Sequence, residues 1–455
     1  MKRIGLLAAS VALALTGCGG GSDSNSGNGN TAPTESTQAV IKAIDGYLVD
    51  AEVYIDRNKD GVADSGEKLS SLTNAKGEVT ISAADTQFPV IVRAIAGKTY
   101  DTDKGGRLTQ TVEMTAAAGS NVVTPFTTLA AIENLSLPEL AAKLNLPEAV
   151  IAGDYVASKA NADVAQEAKK AHAVARSLSL ELGNTISESQ GDSSKLLTKS
   201  SEIITVVDTA VNNGDELDDV LITFDDSGAA NKAEMPPTVK EHFTGNTFSS
   251  ISTNEAYFKK EGLITATFTD TEVHGLDDSG KVIGEWPITY TSNGFKSSDG
   301  LDEVIYMSDA FTLVVTADND MIFYTETNID NGYTAQAATE AMFKGKTLYH
   351  LWDDSTGSKA RPTFVTLKFD PTKNVVDVIE DGKAKQQEWS ISNTGQMIIT
   401  EVMEGKDWVI QPTTLGNDDF TVFYEGTYNE SIPYFFTENK DLAVSLYDEW
   451  YSLAQ

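Results

Sequence analysis

The chain is poor in residue types that build many functional sites. Its 455 residues include one cysteine, four histidines and 34 Lys plus Arg against 67 Asp plus Glu, for a net charge of −33. One cysteine excludes an internal disulfide, and four histidines leave little material for histidine-based metal or acid–base chemistry. The excess of acidic residues argues against binding to nucleic acid or to an anionic lipid surface. The length allows about three domains.

The short motifs of common catalytic sites are also absent. The sequence contains no G-x-S-x-G, no H-E-x-x-H, no P-loop and no C-x-x-C. His242, His274 and His350 are far apart in the sequence, and none has a recognisable nucleophile as its partner. These absences favour a non-catalytic function, although a fold can assemble an active site from distant residues that carry no motif.

The first twenty residues explain the single cysteine. Lys2 and Arg3 precede an apolar run, Ile4 to Leu15, which is typical of a signal-peptide core and too short to span a bilayer. The segment Leu15-Thr16-Gly17-Cys18 then resembles a bacterial lipobox, in which the cysteine is acylated and becomes the first mature residue. The resemblance implies a signal peptide over residues 1–17, a lipid anchor on Cys18 and, because Gly19 and not Asp follows, placement in the outer membrane. Which side of that membrane the protein faces stays open.

A flexible tether is predicted over residues 18–38. This segment is rich in Gly, Ser, Asn and Thr and lacks large apolar residues, so it cannot form a core. Twenty such residues span roughly 25 Å as a root-mean-square distance. Removal of residues 1–17 takes away Lys2 and Arg3 and no acidic residue, so the charge of −33 becomes −35 in the mature chain.

An acidic loop follows the tether in a segment of short strands, residues 39–119. The twelve residues from Asp56 to Glu67 satisfy the calcium-loop pattern D-x-[DN]-x-[DN]-G-x5-E. Alternate side chains supply oxygens, Gly61 permits the sharp turn, and the last glutamate contributes two oxygens. The predicted ligands of a structural calcium ion are Asp56, Asn58, Asp60, Val62 through its carbonyl, Asp64 and Glu67.

The flanks of this loop do not have the pattern of EF-hand helices, because Gly46 and alternating β-branched residues precede it. The loop and the later segment Thr73-Asn74-Ala75-Lys76-Gly77 resemble the calcium-binding β-sandwich modules of bacterial surface proteins, of the Sdr B-repeat and prealbumin-like type. The resemblance implies a β-sandwich over residues 39–119. An acidic turn that binds no metal is the alternative.

The middle of the chain, residues 120–221, has a helical composition. Ser136-Leu137-Pro138-Glu139 and Asn145-Leu146-Pro147-Glu148 are both typical of helix N-termini. The pattern predicts helices over residues 137–144, 146–153, 159–183, 194–212 and 215–221. Residues 222–239, which include Pro236-Pro237, are predicted to be a linker.

The C-terminal part is aromatic-rich and internally similar. Thirty of the 37 Phe, Trp and Tyr residues lie after residue 240, including all five Trp. Matching segments recur about 100 residues apart, which predicts two related β domains over residues 240–338 and 339–455. The matched segments are 243–248 with 343–348, 264–268 with 365–369, 285–288 with 388–391, and Phe323-Tyr324 with Phe423-Tyr424.

Each copy shows short alternating strands at about ten-residue spacing, which is typical of a sandwich or small barrel. The opening F-x-G-[KN]-T resembles that of lipocalin-like barrels, although it lacks their tryptophan. Trp286 and Trp389 are predicted to be core residues. Aromatic residues without a counterpart in the first copy are the candidates for contact with a glycan or protein ligand: Tyr349, Trp352, Tyr428 and Tyr434.

The sequence therefore predicts a multidomain, mainly β protein with a calcium-loop β-sandwich, an α-helical module and two tandem antiparallel β domains. It indicates a lipid-anchored protein of the cell envelope whose C-terminal domains bind a ligand or mediate adhesion at the cell surface. An envelope hydrolase with an unrecognised active site and a structural subunit of an outer-membrane assembly are the alternatives.

Overall fold

The computed structural model describes residues 38–103, 107–187, 195–225, 227–254, 264–277, 279–326, 335–355, 359–380, 382–403, 405–417, 419–425 and 432–454. The architecture is mainly β with helices in the middle, and two barrel-like sheets lie near the C-terminus. At this level the predicted fold class is confirmed.

The first part of the chain forms small sheets from short strands. Strands β1, β4 and β8 form one three-stranded sheet, β3, β5 and β7 form another, and β2 pairs with β6. Alternation along these strands puts the apolar side chains on one face, as in β4, where Val79 and Ile81 are buried between exposed neighbours. The strands are β1 (Gln38–Ala43), β2 (Leu48–Val49), β3 (Glu52–Ile55), β4 (Glu78–Ser82), β5 (Val90–Ala94), β6 (Tyr100–Asp101), β7 (Val112–Ala116) and β8 (Val122–Val123).

The helical segment follows, with α1 (Pro125–Ile132), α2 (Leu137–Leu144), α3 (Glu148–Ile151), α4 (Tyr155–Ser158), α5 (Ala165–Ser187) and α6 (Leu196–Asn213). Ser136 caps α2 in a reciprocal capping box with Glu139, as predicted. Asn145 instead ends α2 in the left-handed conformation, with φ of 50°, so the second predicted cap is wrong. The helix predicted over residues 215–221 is also wrong, because a short 3-10 turn and a strand occupy this segment.

The N-terminal strands and the helices share one hydrophobic core. This core continues across the boundary that the sequence predicted between residues 119 and 120. A buried ion pair reinforces this junction. The fully buried Arg176 of α5 donates from Nη2 to Asp103 Oδ1 at 3.0 Å and from Nη1 to the Val220 carbonyl at 2.6 Å. Burial alone would raise the pKa of Asp103, but the Arg176 bonds and the nearby His172 hold it below its usual value.

The segment predicted to be a linker, residues 222–239, contains regular structure. Strand β9 (Leu221–Phe224) pairs with β10 (Ala230–Ala233), and helix α7 (Val239–Phe243) begins at a Thr238 cap. Leu221 and Ile222 are buried, which explains why this stretch folds onto α5. Asp225 and Gly228 close the turn between the two strands, but the sequence pattern did not reveal the short apolar strand β9.

The first barrel-like sheet contains nine strands in the order β14-β13-β12-β11-β19-β18-β17-β16-β15. Strands β14 and β15 are the two ends of this order, yet only Ile288 separates them in the chain, so the sheet curls until its edges meet. We call this sheet the first barrel. Its strands are β11 (Thr247–Ser252), β12 (Ile264–Phe268), β13 (Glu272–Leu276), β14 (Val282–Pro287), β15 (Thr289–Tyr290), β16 (Gly294–Lys296), β17 (Leu301–Met307), β18 (Thr312–Val315) and β19 (Met321–Thr325).

The second barrel is a closed eight-stranded, up-and-down sheet in which β20 pairs with β27. A C-terminal helix, α8 (Lys440–Leu453), packs on its outer surface. The strands are β20 (Thr347–Asp353), β21 (Pro362–Phe369), β22 (Val375–Glu380), β23 (Lys383–Ile391), β24 (Met397–Met403), β25 (Lys406–Gly416), β26 (Thr421–Glu425) and β27 (Ile432–Thr437).

The two barrels have the same strand order once β14 and β15 are read as one interrupted strand that corresponds to β23. Strand β23 itself pairs with β22 along its first part and with β24 along its last three residues. Segments 264–268 and 365–369 both form the second strand, where Phe268 pairs with Val273 and Phe369 pairs with Val376. The first two sequence matches therefore agree with the structural positions.

The other two matches are displaced. Val273 pairs with Trp286, whereas the equivalent Val376 pairs with Gln387, so Trp286 corresponds to Gln387 and not to Trp389. Phe323-Tyr324 lies in β19, which pairs with the first strand of its barrel. The strand with that role in the second barrel is β27, and Phe435-Phe436, not Phe423-Tyr424, occupies it.

Equivalent parts of the two barrels pack against each other. Phe311 stacks on Phe420 with ring centroids 4.8 Å apart, and Phe323 contacts Phe435 at 5.5 Å. Phe311 and Phe420 each end the tight turn before the seventh strand of their barrel. The contact thus has the self-complementary character of a two-fold interface, although it lies within one chain. The two barrels share a hydrophobic core.

Helix α8 closes the junction between the three parts of the chain. Trp450 is 0% exposed, lies in the core shared by the barrels, and donates from Nε1 to the Asn319 carbonyl at 2.7 Å. Ser445 donates to the Ala96 carbonyl of the N-terminal sheets. Arg107, also from the N-terminal part, lies 2.8 Å from Glu303 of the first barrel and 2.9 Å from Glu449 of α8.

Candidate functional sites

Two of the predicted site residues lie outside the described residues: Cys18, the predicted lipidation site, and Tyr428, a predicted ligand contact. Among the residues that the structure describes, no helix has the length and apolar character needed to cross a membrane.

The acidic loop begins directly after β3 and returns beside it, since Tyr54 of β3 forms a bridge with Lys68. Asp56 and Glu67, the first and last predicted ligands, are buried, whereas Asn58, Asp60 and Asp64 are exposed. Both ends of the loop are therefore fixed by the sheet.

Backbone N–H groups orient the carboxylates of this loop. Asp56 accepts from the N–H of Asp60 at 3.2 Å and of Gly61 at 3.1 Å, and Glu67 Oε1 accepts from the N–H of Arg57 at 2.7 Å. Gly61 has φ of 75°, which a side chain would strain, and this explains the glycine of the motif. Each carboxylate oxygen that accepts one N–H keeps a second lone pair.

The fit to a metal ion rests on one buried atom. Glu67 Oε2 is buried and has no hydrogen-bond partner, although a bidentate calcium ligand is expected at this position. In the described part of the chain, however, no three His, Cys, Asp or Glu side chains are placed together so that they could hold a metal. The exposed ligands Asp60 and Asp64 would thus have to turn inward for binding.

The interior of the second barrel contains an unusual number of polar aromatic side chains. On β20, Leu348, His350 and Trp352 alternate toward the interior and pair with inward residues of β21. Trp389, with 2% exposure, and Trp408, with 5%, lie in the same interior. Alternation along β strands is what aims all of these rings inward.

His350 is held in a fixed orientation. Its ring lies between Tyr434 and Phe436, with centroids 4.9 and 4.8 Å away, and its Nδ1 lies 2.8 Å from the Phe435 carbonyl. Burial lowers the pKa of His350 to about 4, an effect that the Phe435 carbonyl partly opposes, so the ring is neutral at pH 7. Nδ1 therefore carries the proton and donates to Phe435, which leaves Nε2 as an acceptor.

Four polar atoms inside this barrel are buried and have no hydrogen-bond partner among the described residues: Nε2 of His350 and the indole Nε1 of Trp352, Trp389 and Trp408. An indole N–H only donates, whereas neutral Nε2 accepts. Leaving a buried polar group unsatisfied costs about 1–3 kcal/mol, so native proteins satisfy nearly all such groups with protein, water or ligand. These four atoms comprise three donors and one acceptor.

The predicted ligand contacts do not form one surface. Trp352 and Tyr434 point into the second barrel, where Tyr434 stacks on His350. Tyr349 is half-buried on the outside and contacts Phe364 at 5.8 Å. A groove of about 290 Å³ lies on the outside of the barrel beside α8. It is lined by Phe364, Thr366, Ile379, Gly382, Val444 and Tyr447.

Trp286 was predicted to lie in the core, and this prediction is wrong. Its side chain is 39% exposed, and its ring covers Gly275 and Gly284, where an added Cβ would lie within 3.0 Å of the indole. The reason is the displaced match, because Trp286 occupies the position of the half-buried Gln387 and not that of the buried Trp389. Trp389 is in the core, as predicted.

Sequence reasoning missed Trp408 as a site residue. Trp408 and Ile410 alternate on β25 and are both buried, but this pattern equally fits an ordinary core strand.

Comparison of the chain with protein-family models, curated proteins and solved structures finds no match.

Because His350 is buried, we expect the stability of the fold to depend on pH. His350 in the unfolded chain has a pKa of about 6.5 and in the folded chain about 4, so between these values the unfolded state binds the extra proton. Protonation of His350 in the unfolded chain therefore lowers the free energy of unfolding as pH falls from 6.5 toward 4, by up to about 1.4 kcal/mol per pH unit. We expect the stability of the wild type, measured by urea denaturation, to fall more from pH 7 to pH 5 than that of His350→Phe.

Other buried groups titrate in this range, which is why the comparison uses the variant. Burial and the neighbouring Asp353 raise the pKa of Asp320 to about 7, and burial raises that of Asp302 to about 6, so these carboxyls favour the folded state at lower pH. The wild type and His350→Phe share both groups. Equal pH dependence in the two proteins would contradict a neutral, buried His350.

Proposed function

We propose that this chain is a lipid-anchored, non-catalytic binding protein of the bacterial outer membrane. The lipobox at Cys18 and the tether over residues 18–38 support the anchor. The tether would hold the folded part away from the lipid surface. Calcium in the loop from Asp56 to Glu67 would be structural and would not take part in chemistry.

The interior of the second barrel carries the proposal of ligand binding. Eight-stranded barrels are either filled by side chains or hold one small ligand. Here three indole N–H groups and His350 Nε2 face that interior without partners, and a bound molecule would satisfy them. The proposed activity is therefore capture of a small molecule inside the barrel and not adhesion through an aromatic surface.

The two barrels are best understood as related copies in which only the second binds. They share strand order and the positions of their first two strands. At the positions of His350 and Trp352, however, the first copy has Ser250 and Ser252. The duplication would therefore supply a packing partner and not a second binding site, so one ligand per chain is expected.

Native mass spectrometry tests this proposal. The mature lipoprotein, isolated from membranes in mild detergent, is expected to carry one small molecule per chain. Trp408→Leu should lose that molecule, because it removes an indole donor and opens the interior. Trp286→Leu is the matched control, since this tryptophan lies in the first barrel, and it should retain the molecule. Bare protein from every preparation, with no melting shift in envelope extract, would contradict the proposal.

The calcium site is tested separately. At calcium about one hundredfold above the dissociation constant, binding should stabilise the fold by about 2.7 kcal/mol. We expect calcium to raise the melting temperature of the wild type but not of Glu67→Gln, which loses one ligand oxygen and the charge. Glu216→Gln is the control, because this glutamate is exposed and lies outside the loop. A wild-type melting curve that is the same in calcium and in chelator would rule out the site.

A further inference from the structure

We infer that the ligand of the second barrel is an uncharged, ring-bearing molecule that offers carbonyl-type acceptors together with at least one N–H or O–H donor. This inference rests on the proposed function of that barrel. It is drawn from the polar atoms of the interior, from the charges around them and from the rings that line it.

The acceptors on the ligand are required by the indoles. Nε1 of Trp352, Trp389 and Trp408 can only donate a hydrogen bond, and none of the three has a partner within the described residues. The three tryptophans lie on different strands, β20, β23 and β25, so their N–H groups are distributed around the barrel wall. A ligand with only donors would leave all three unsatisfied.

The donor on the ligand is required by His350. Because its Nδ1–H is committed to the Phe435 carbonyl 2.8 Å away, the ring cannot change tautomer without losing that bond. Nε2 therefore presents a lone pair to the interior. A molecule with acceptors alone would leave this atom unpaired, which is as costly as an unpaired indole.

A negative charge on the ligand is disfavoured. The buried arginines of the described chain, Arg107 and Arg176, lie outside the second barrel. The lysines of β23, Lys383 and Lys385, are exposed, and Lys385 Nζ donates to the Glu401 carbonyl at 3.0 Å. Glu425, on an inner strand position, is itself buried. An anion would lose its water without gaining a cation.

A positive charge is disfavoured for a different reason. An ammonium group would face the buried Glu425, but it offers no acceptor to the three indole N–H groups. Tyr434 and Trp408, with ring centroids 6.3 Å apart, line the interior beside His350 and offer aromatic surface on which a flat ring can pack. A neutral ring with an amide-like group satisfies both requirements.

Three probes of equal size separate these cases: benzamide, benzoate and benzylamine. They share the ring and differ in carrying a neutral amide, a carboxylate or an ammonium group. Binding to the mature protein, after removal of any bound molecule by unfolding and refolding, is measured by saturation-transfer NMR at pH 7.5. We expect benzamide to bind at least tenfold more tightly than either charged probe.

Variants locate the binding. His350→Phe keeps the aromatic stack but removes the acceptor, and Trp408→Phe removes one donor, so each should weaken benzamide binding about tenfold. Trp286→Phe in the first barrel should leave it unchanged. Equal or tighter binding of benzoate or benzylamine, absence of benzamide binding at 10 mM, or benzamide binding that neither His350→Phe nor Trp408→Phe affects would overturn the inference. The proposed function would still be tested independently by native mass spectrometry of the membrane-derived protein.

Discussion

Replacement of Arg176 by methionine is expected to lower the free energy of unfolding by about 3–5 kcal/mol. Arg176 is fully buried between α5 and the N-terminal sheets, where it neutralises Asp103 and binds the Val220 carbonyl. Methionine fills much of the same volume, but Asp103 would lose its main buried partner and keep only weaker ones such as His172, whose Nε2 lies 3.3 Å away. Chemical denaturation followed by far-ultraviolet circular dichroism measures the loss.

The matched control is Lys169→Met on the same helix. Lys169 pairs with Glu216 and Asp218 at 3.5 and 3.3 Å on the surface, where water screens the charges and the pairs contribute little to stability. The double variant Arg176→Met/Asp103→Leu should recover part of the stability, because the unpaired charge is gone. If Arg176→Met and Lys169→Met destabilise the protein equally, the buried pair does not join strands to helices as described.

Trp450→Ala is expected to cost about 3–5 kcal/mol, the usual range for removing a large buried ring. The side chain lies in the core that both barrels share, and its indole donates to the Asn319 carbonyl of the first barrel. The cavity would form where three parts of the chain meet. We therefore expect the barrels and the N-terminal part to unfold in separate transitions in this variant, measured by differential scanning calorimetry.

The neighbouring residue supplies the control for this prediction. Tyr451 is 46% exposed on the same helix turn, so Tyr451→Ala should change the melting temperature little. A single, unshifted transition in Trp450→Ala would show that α8 does not hold the parts of the chain together.

Local signals in the sequence predicted local structure well. The Ser136 cap and Glu139 three residues later define the start of α2 correctly because both partners lie within one turn. Asn145 misled because the same residue type favours both a helix start and a left-handed helix end. Pro147 disfavours a helical conformation at Leu146, and α2 therefore ends at Asn145 instead of continuing.

The displaced matches between the barrels have a different cause. A shift of one residue would move every side chain of a strand to the opposite face, but a shift of two keeps the same face. Trp286 and Trp389 both follow a glutamate and lie on the same face of their strands, so their alternation patterns in the sequence are indistinguishable. Only strand pairing, with Trp286 opposite Val273, reveals that they occupy different levels of the barrel.

The candidate ligand site could not be predicted from sequence for a related reason. It depends on closure of the barrel, which brings His350 next to Phe435 across 85 residues of chain. Tyr349 and Trp352 stood out because serines replace them in the first copy, but sequence alone could not place Trp352 inside the barrel and Tyr349 outside it. Trp408 carried no signal beyond ordinary alternation.

The most direct test of ligand binding in the second barrel is a ¹⁵N–¹H spectrum of the tryptophan indoles. The five indole signals are compared between protein isolated from membranes and the same protein after unfolding and refolding. We predict that the signals of Trp352, Trp389 and Trp408 shift, while those of Trp286 and Trp450 stay in place. Identical positions for all five signals, with envelope extract unable to move them in the refolded protein, would contradict a ligand site inside this barrel.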